Sequence, residues 1–365
     1  MRGSVTPEDQ RFALQGVGPE ELAARVPELS LAEARRVVSS IYRRGPASVD
    51  GHIPHVRAIA LDVLRERAHA PLLELVERQI SAVDSFAKYL FRTVDASSIE
   101  AVRIPLERAF RFTVCVSSQV GCALGCAFCA TGRLGLGRNL AAWEIIEQVR
   151  QVRETLPAGA RVHGVVFQGM GEPLANLDRV LAAIRVLTSP SALAINARAI
   201  TVSTAGLPGG IRRLAAEAPS VRLALSIASA RRSQRRRLMP IDDAHPLSEV
   251  IDAAASHART TRLAPMFAVT LLRGVNDGEA DAIALAELIL DFEVRTGVRP
   301  RLSIIPYNEI DGAGEVGLEP FARSPRSVED AFRDVLSARG VFSHRRYSGG
   351  GDISAACGQL AARRA

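Results

Sequence analysis

From about Pro105 to Gly340, short β-branched runs alternate with amphipathic helical stretches, and this alternation constrains the fold more than any other feature. Candidate strands are Arg111 to Ser117, Val162 to Gln168, Arg198 to Ser203, Val221 to Ile227, Met266 to Leu272 and Arg301 to Pro306. Helical spacing follows each of them: Ala141 to Thr155, Leu177 to Thr188, Gly210 to Glu217, Pro246 to Thr260, Glu279 to Thr296 and Ser327 to Arg339. Strands joined by helical crossovers run parallel, because antiparallel neighbours need only a short turn. Six such units predict an α/β fold, a parallel sheet curling into a partial (β/α)6 TIM-like barrel. Its chemistry belongs in the loops after the C-terminal ends of the strands.

The flanks read differently. Glu20 to Arg25, Leu31 to Arg43, His55 to Ala68 and Leu72 to Phe91 show helical spacing without strand alternation, which predicts a small helical domain over residues 1–95. Ser97 to Ile104 reads as the leading strand of a barrel domain over 96–345, and Gly-rich Ser348 to Asp352 opens a tail over 346–365.

The chain has 365 residues, 47% of them apolar, enough for one large core and a smaller companion. The start, Met1 to Gln10, is polar, and no apolar run approaches the roughly 20 residues that span a bilayer. We therefore expect a soluble, cytoplasmic protein with no membrane contact. A net charge of +7 favours a polyanionic partner, since neutralising phosphates releases counterions. Almost all of the positive charge is arginine, and Lys88 is the only lysine.

Four of the five cysteines, Cys115, Cys122, Cys126 and Cys129, lie within fifteen residues, and Cys357 stands near the C-terminus. This is no secreted disulfide framework; it suits metal or redox chemistry. Cys122-Ala-Leu-Gly-Cys126-Ala-Phe-Cys129 directly follows a strand, in a loop of small residues. Three thiolates on one loop can hold three irons of a [4Fe-4S] cubane and leave the fourth iron without a protein ligand. That iron can bind S-adenosylmethionine (SAM) and pass one electron to its sulfonium. A structural zinc site would need a fourth protein ligand, and no His or Cys lies at the usual short spacing.

These residues resemble the radical SAM superfamily and, more closely, its RNA adenine methyltransferases of the RlmN and Cfr type. The similarity runs from about Ile99 to Leu360. It is carried by Cys115-Val-Ser-Ser-Gln-Val-Gly-Cys122, Cys129-Ala-Thr-Gly, Arg138-Asn-Leu140, Gly169-Met-Gly-Glu-Pro173, Val202-Ser-Thr-Ala-Gly206, Leu238-Met-Pro240, Gly274-Val-Asn-Asp277, Ile305-Pro-Tyr-Asn308 and Ile353-Ser-Ala-Ala-Cys-Gly-Gln-Leu360. The resemblance implies that Gly171 and Glu172 grip the amino end of SAM, with Ser203, Ser226, Ile227, Ala228 and Asn308 at further contacts. One departure is visible: the family usually has Ser-Leu-His where this chain has Ser226-Ile-Ala228, so a side-chain role of that histidine is absent.

The resemblance also implies a route to an electrophilic ring carbon. Cys357 takes a methyl group from one SAM; a second SAM yields a 5′-deoxyadenosyl radical that removes hydrogen from that S-methyl group, and the carbon then bonds to C2 or C8 of an adenine. Cys115 is implied as the thiol that resolves the adduct through a transient Cys115–Cys357 disulfide, and Glu100 as the proton acceptor. Large-subunit ribosomal RNA is the implied substrate, with tRNA as a second class and flavodoxin or ferredoxin as electron donor to a monomeric enzyme. Local features point both ways on the carbon: Ala268 and Ser354 are C8-like, Pro173 is C2-like.

For RNA contacts the sequence offers Arg231, Arg232, Arg235, Arg236 and Arg237, a basic run after the fourth strand that serves either as a phosphate clamp or as a solvated loop. Tyr42-Arg43-Arg44-Gly45 is similar to part of the family's RNA-binding accessory domain. Two other classes compete. A radical SAM enzyme acting on a protein or metabolite would not need Cys115 and Cys357 in these contexts. A zinc and RNA-binding protein would leave Gly169 to Pro173 without a purpose.

Overall fold

The computed structural model describes residues 11–310 and 320–362. The polar start Met1 to Gln10 and the last three residues of the expected tail lie outside the described residues.

Three helices open the chain. After the two-residue strand β1 (Phe12–Ala13) come α1 (Pro19–Arg25), α2 (Leu31–Arg44) and α3 (Ala58–Arg67), and β2 (Ala68–His69) returns to pair with β1. Helix α2 starts on a capping box: Ser30 and Glu33 satisfy each other's backbone amides. The Glu33 carboxylate also holds the Arg57 guanidinium at 2.9 Å, which keeps it far below the usual carboxylate range.

The helical part ends at Arg67, and here an expectation fails. Residues Leu72 to Phe91 are not a helix; they form a hairpin of β3 (Glu74–Ile80) and β4 (Ala87–Arg92), continued antiparallel by β5 (Ser98–Pro105). The physical reason is burial on both faces. Ala87, Lys88, Tyr89, Leu90 and Phe91 are all buried, so β4 lacks the polar alternation that marks a half-exposed strand and imitates a buried helix. The turn is made by side chains: Ser81 Oγ accepts from the amides of Val83 and Asp84, and Asp84 accepts from that of Phe86. Residues 74–92, expected in the helical domain, therefore belong to the sheet.

All six expected strands are present: β6 (Arg111–Val116), β9 (Arg161–Phe167), β10 (Ile200–Thr204), β11 (Arg222–Ser226), β12 (Met266–Leu271) and β13 (Arg301–Pro306). Between β6 and β9 lies an unexpected hairpin, β7 (Gln119–Cys122) with β8 (Gly135–Asn139), enclosing the short helix α4 (Ala130–Arg133). The crossover helices are α5 (Ala142–Glu154), α6 (Leu177–Thr188), α7 (Pro208–Glu217), α9 (Leu247–Thr261) and α10 (Glu279–Thr296). The four-arginine helix α8 (Arg232–Leu238) precedes α9, and α11 (Arg326–Ala338) leads into the edge strand β14 (Ser343–Arg345).

One ten-stranded sheet results, ordered β14-β13-β12-β11-β10-β9-β6-β5-β4-β3, parallel from β14 to β6 and antiparallel beyond. The sheet does not close on itself, in keeping with the expected partial barrel. Val114, Val165 and Ile200 are neighbours in register, as are Leu225, Phe267 and Leu302, and all six are buried between the sheet and its helices. Because β6 and β9 to β13 all point one way, the loops after them share one end of the molecule, and the cysteine loop, Gly169 to Pro173 and the arginine run Arg231 to Arg237 lie there.

Candidate active site

The cysteine loop is shaped by two glycines. Gly121 (φ +72°) closes the β7–β8 hairpin so tightly that a Cβ would sit 1.9 Å from the Gly135 carbonyl oxygen. Gly171 (φ +99°) would drive a Cβ to 2.6 Å from Gln119. The Gly169-Met-Gly171 turn is thus a backbone seam: Met170 O accepts from the amides of Ser118 and Gln119, which locks the loop after β9 to the loop after β6.

Cys122, Cys126 and Cys129 line one cavity, together with Glu172, Ser203, Ser226, Ala268 and Tyr307. Burial pushes the Cys122 thiol up to about 11 and raises Cys126 and Cys129; Cys129 raises Cys122 and Cys126 further, Cys122 raises Cys126, and Cys357 raises Cys129. Bare thiolates are disfavoured here, and a cationic metal centre removes that penalty. No three His, Cys, Asp or Glu side chains among the described residues converge on a single metal ion, whereas a cubane takes each thiolate on a different iron. The donor set fits the cluster.

Glu172 is buried, and its two oxygens accept from the amides of Leu174 (3.0 Å) and Ala205 (2.9 Å). Burial raises its carboxyl to about 6 against these bonds. Ile227 and Ala228, expected beside SAM, do not line the cavity. Ala228 takes the left-handed conformation (φ +56°), its carbonyl accepting from Asn276, while the Ile227 carbonyl accepts from Arg235. Their carbonyls are occupied from behind, which leaves Ser226 as the strand-end residue on the cavity. Asn308 is also differently employed: its amide donates to Ser348 Oγ (2.7 Å) and to the Cys357 carbonyl (3.1 Å), tying the tail to the end of β13.

Arg235, placed by sequence in a possible phosphate clamp, is fully buried. It pairs with Asp242 at 2.9 Å and donates to the carbonyls of Ser226 and Ala205. It is the frame of the loop after β11, and its charge draws the Cys126 thiol down against burial.

The tail brings Cys357 into place. Ala130 N donates to Gly358 O (2.8 Å) and Thr131 Oγ1 to Leu360 O (2.6 Å), so the residues just after the cysteine loop hold the tail. On the other side the β3–β4 turn docks it: Asp84 accepts from Tyr347 and from the Gly350 amide, and Phe86 packs on Gly349. Cys357 lines the cluster cavity and also a second cavity that contains Cys115, Phe86, Val102 and Arg346. Gln168 Nε2 donates to its sulfur at 3.5 Å, and Arg346 fixes the Gln168 amide by donating to its oxygen at 3.0 Å. Sequence reasoning missed both; the position of Gln168 at the end of the second expected strand was the available signal.

Cys115 is buried on β6, pushed up to about 12 by burial and by Cys357 and drawn down by Arg346. All five cysteines are free thiols, so the Cys115–Cys357 disulfide, expected as a transient, is not present. Glu100 is not a solvated surface residue. It is 1% exposed on β5, 3.4 Å from Lys88 Nζ, and its Oε2 accepts from the amides of Ala361 and Ala362 at 2.9 Å. Burial raises its carboxyl above the ordinary value against these partners.

An open α/β sheet with a three-cysteine loop beside a carboxylate at its strand ends defines a radical SAM enzyme, and the radical SAM superfamily pattern matches residues 116–286. A probable RNA methyltransferase of Sorangium cellulosum is 58% identical over 94% of this chain and 90% of its own length. A dual-specificity RNA methyltransferase RlmN of Syntrophobacter fumaroxidans is 40% identical over 90% of this chain and 91% of its own. The crystal structure of a radical SAM methyltransferase from Sphaerobacter thermophilus superposes with a TM-score of 0.84 at 36% identity, covering 96% of this chain and all of that one. The chain belongs to the radical SAM RNA methyltransferases of the RlmN type. No helix among the described residues is long and apolar enough to cross a membrane.

Proposed function

We propose that this RNA methyltransferase builds a methyl group on C2 or C8 of an adenosine, in large-subunit ribosomal RNA first and tRNA second, through S-methyl-Cys357. One observation carries the reading: Cys357 lines both the cavity of the three loop cysteines and the cavity of Cys115. When bound on Cys122, Cys126 and Cys129, the cluster supplies one-electron cleavage of SAM to a 5′-deoxyadenosyl radical. Glu172, Ser203 and Ser226 are the residues for SAM, Gly171 shaping the turn beside them. The carboxylate of Glu172 suits an ammonium, being a buried acceptor on the cavity wall held in place by the Leu174 and Ala205 amides.

The sulfur of Cys357 carries the methyl carbon and stays bonded to it as the carbon joins the adenine. Gln168 holds that sulfur, and Asn308 holds the backbone behind it. Release requires a second thiolate to attack the Cys357 sulfur, the role of Cys115, and a base for the ring proton, the role of Glu100. Burial keeps Cys115 protonated until it is used, with the Arg346 guanidinium opposing that burial.

The test is anaerobic expression with iron, followed by mass spectrometry of host rRNA and tRNA and of the Cys357 peptide. A new methyladenosine that disappears in Cys357→Ala supports the reading and names the carbon. An intact cluster with no S-methylcysteine at Cys357 refutes it.

A further inference from the structure

The end of the sheet opposite the cysteine loop is lined with arginine. Arg111, Arg161, Arg222 and Arg301 are the first residues of β6, β9, β11 and β13, Arg198 stands two residues before β10, and Arg108 precedes β6. Parallel strands begin at one end, so these side chains share the floor of the fold, while Glu172 and Cys357 lie at the other end. Arg111 and Arg161 face each other in register, and like charges so placed cost stability. All except the half-buried Arg111 are exposed.

None of the six makes an ion pair or a side-chain hydrogen bond among the described residues. Their electrostatic neighbours are each other: Arg108 and Arg161 oppose the charge on Arg111 and on His163, and Arg301 and Arg198 oppose that on Arg222. Elsewhere on the surface the chain pairs its arginines. Arg213 bridges Asp178 and Glu217, Arg295 bridges Asp252 and Asp291, Arg25 meets Glu21 and Arg326 meets Asp330. An Arg-rich composition accounts for the number of arginines but not for six of them at the strand starts standing without an ion pair, with Glu107 beside Arg108 and the Arg299–Glu293 pair as the nearby carboxylates. At its edge, between Arg108 and Arg111, Phe110 is 62% exposed with φ +59°.

We propose that this floor is a second RNA-binding surface, where unpaired guanidinium forks take backbone phosphates and Phe110 offers a stacking face to an unpaired base. The inference rests on the RNA methyltransferase reading and adds a substrate class to it. Strands of five to seven residues rise roughly 3.3 Å per residue, so about 20 Å separates the floor from the site. The RNA must therefore be folded and large enough to wrap the sheet edge while its adenosine sits at the opposite end.

The test compares two variants of the cluster-loaded enzyme that each lose four positive charges. One removes floor residues (R161Q/R198Q/R222Q/R301Q), the other paired ones away from the strand starts (R25Q/R213Q/R295Q/R326Q). The probe is deproteinised large-subunit rRNA, with binding read against salt and methyl transfer read as kcat and KM. The floor variant is expected to lower the salt slope by about 3, near 0.7 to 0.9 per lost phosphate, and to raise KM at least about tenfold with kcat unchanged. The paired variant is expected to keep the wild-type slope. Equal losses in both variants would reduce the effect to net charge and overturn the floor site, as would a floor variant that binds like wild type. Wild-type enzyme that neither binds nor methylates RNA would overturn the underlying reading as well.

Discussion

Replacing Arg235 by Met tests whether the basic run after β11 is a clamp or a frame. The guanidinium is fully buried; it pairs with Asp242 and donates to the carbonyls of Ser226, Ile227 and Ala205. Methionine fills much of the volume and supplies no donor. Asp242 Oδ1 would keep only the Leu247 amide, and Oδ2 has no partner to begin with. Removing one member of a buried pair costs about 3–5 kcal/mol, because the remaining charge stays desolvated. The three abandoned carbonyls, at about 1–3 kcal/mol each when fully unsatisfied, place the loss at the upper end of that range. Urea unfolding of the cluster-loaded protein under anaerobic conditions measures it. The double variant R235M/D242L is expected to recover part of the loss, since an apolar pair removes the stranded charge. Unfolding within about 1 kcal/mol of wild type, combined with weakened RNA binding, would refute the frame and restore the clamp.

Cys115→Ala should leave S-methyl-Cys357 detectable by mass spectrometry but stop turnover with protein covalently joined to RNA, visible as a shifted band on a denaturing gel; free methylated RNA at the wild-type rate would count against Cys115. Gly121→Ala should lower iron and sulfide per chain severalfold after reconstitution, because its Cβ collides with the Gly135 carbonyl and opens the cysteine hairpin; full iron loading would show that the hairpin does not shape the site. His257 is buried with Nε2 unpartnered, and burial lowers it from 6.5 to about 4. Its contribution to stability is therefore complete above pH 6.5 and is lost as pH falls to about 4, where the unfolded chain binds the proton first; about 3 kcal/mol is at stake at 1.36 kcal/mol per unit. His257→Leu should flatten the stability profile across that window, and an unchanged slope would assign the acid sensitivity to another group.

Local chemistry made much of this protein legible. Six β-branched runs and the helices after them reflect backbone preference and periodic burial, and both are written in consecutive residues. The three-cysteine loop is equally local, because its ligands must be close in sequence to sit on one tight turn. The helical reading of residues 87–91 has the complementary cause: β4 is buried throughout by tertiary packing, and no residue within it records that.

The sequence by itself determined the six parallel strands and their crossover helices, and through resemblance it pointed to the three-cysteine loop and to Cys115 with Cys357. Only the tertiary structure decided what surrounds them. It buried Arg235 as a frame, gave Asn308 and Gln168 to Cys357, set Glu100 between Lys88 and the tail amides, and used the β3–β4 turn as the tail's dock. It also gathered arginines from strands up to 190 residues apart (301 − 111) onto one floor. Each of these depends on the packing of distant segments, where hydrogen-bond partners and the absence of a counter-charge are properties of space rather than of sequence order.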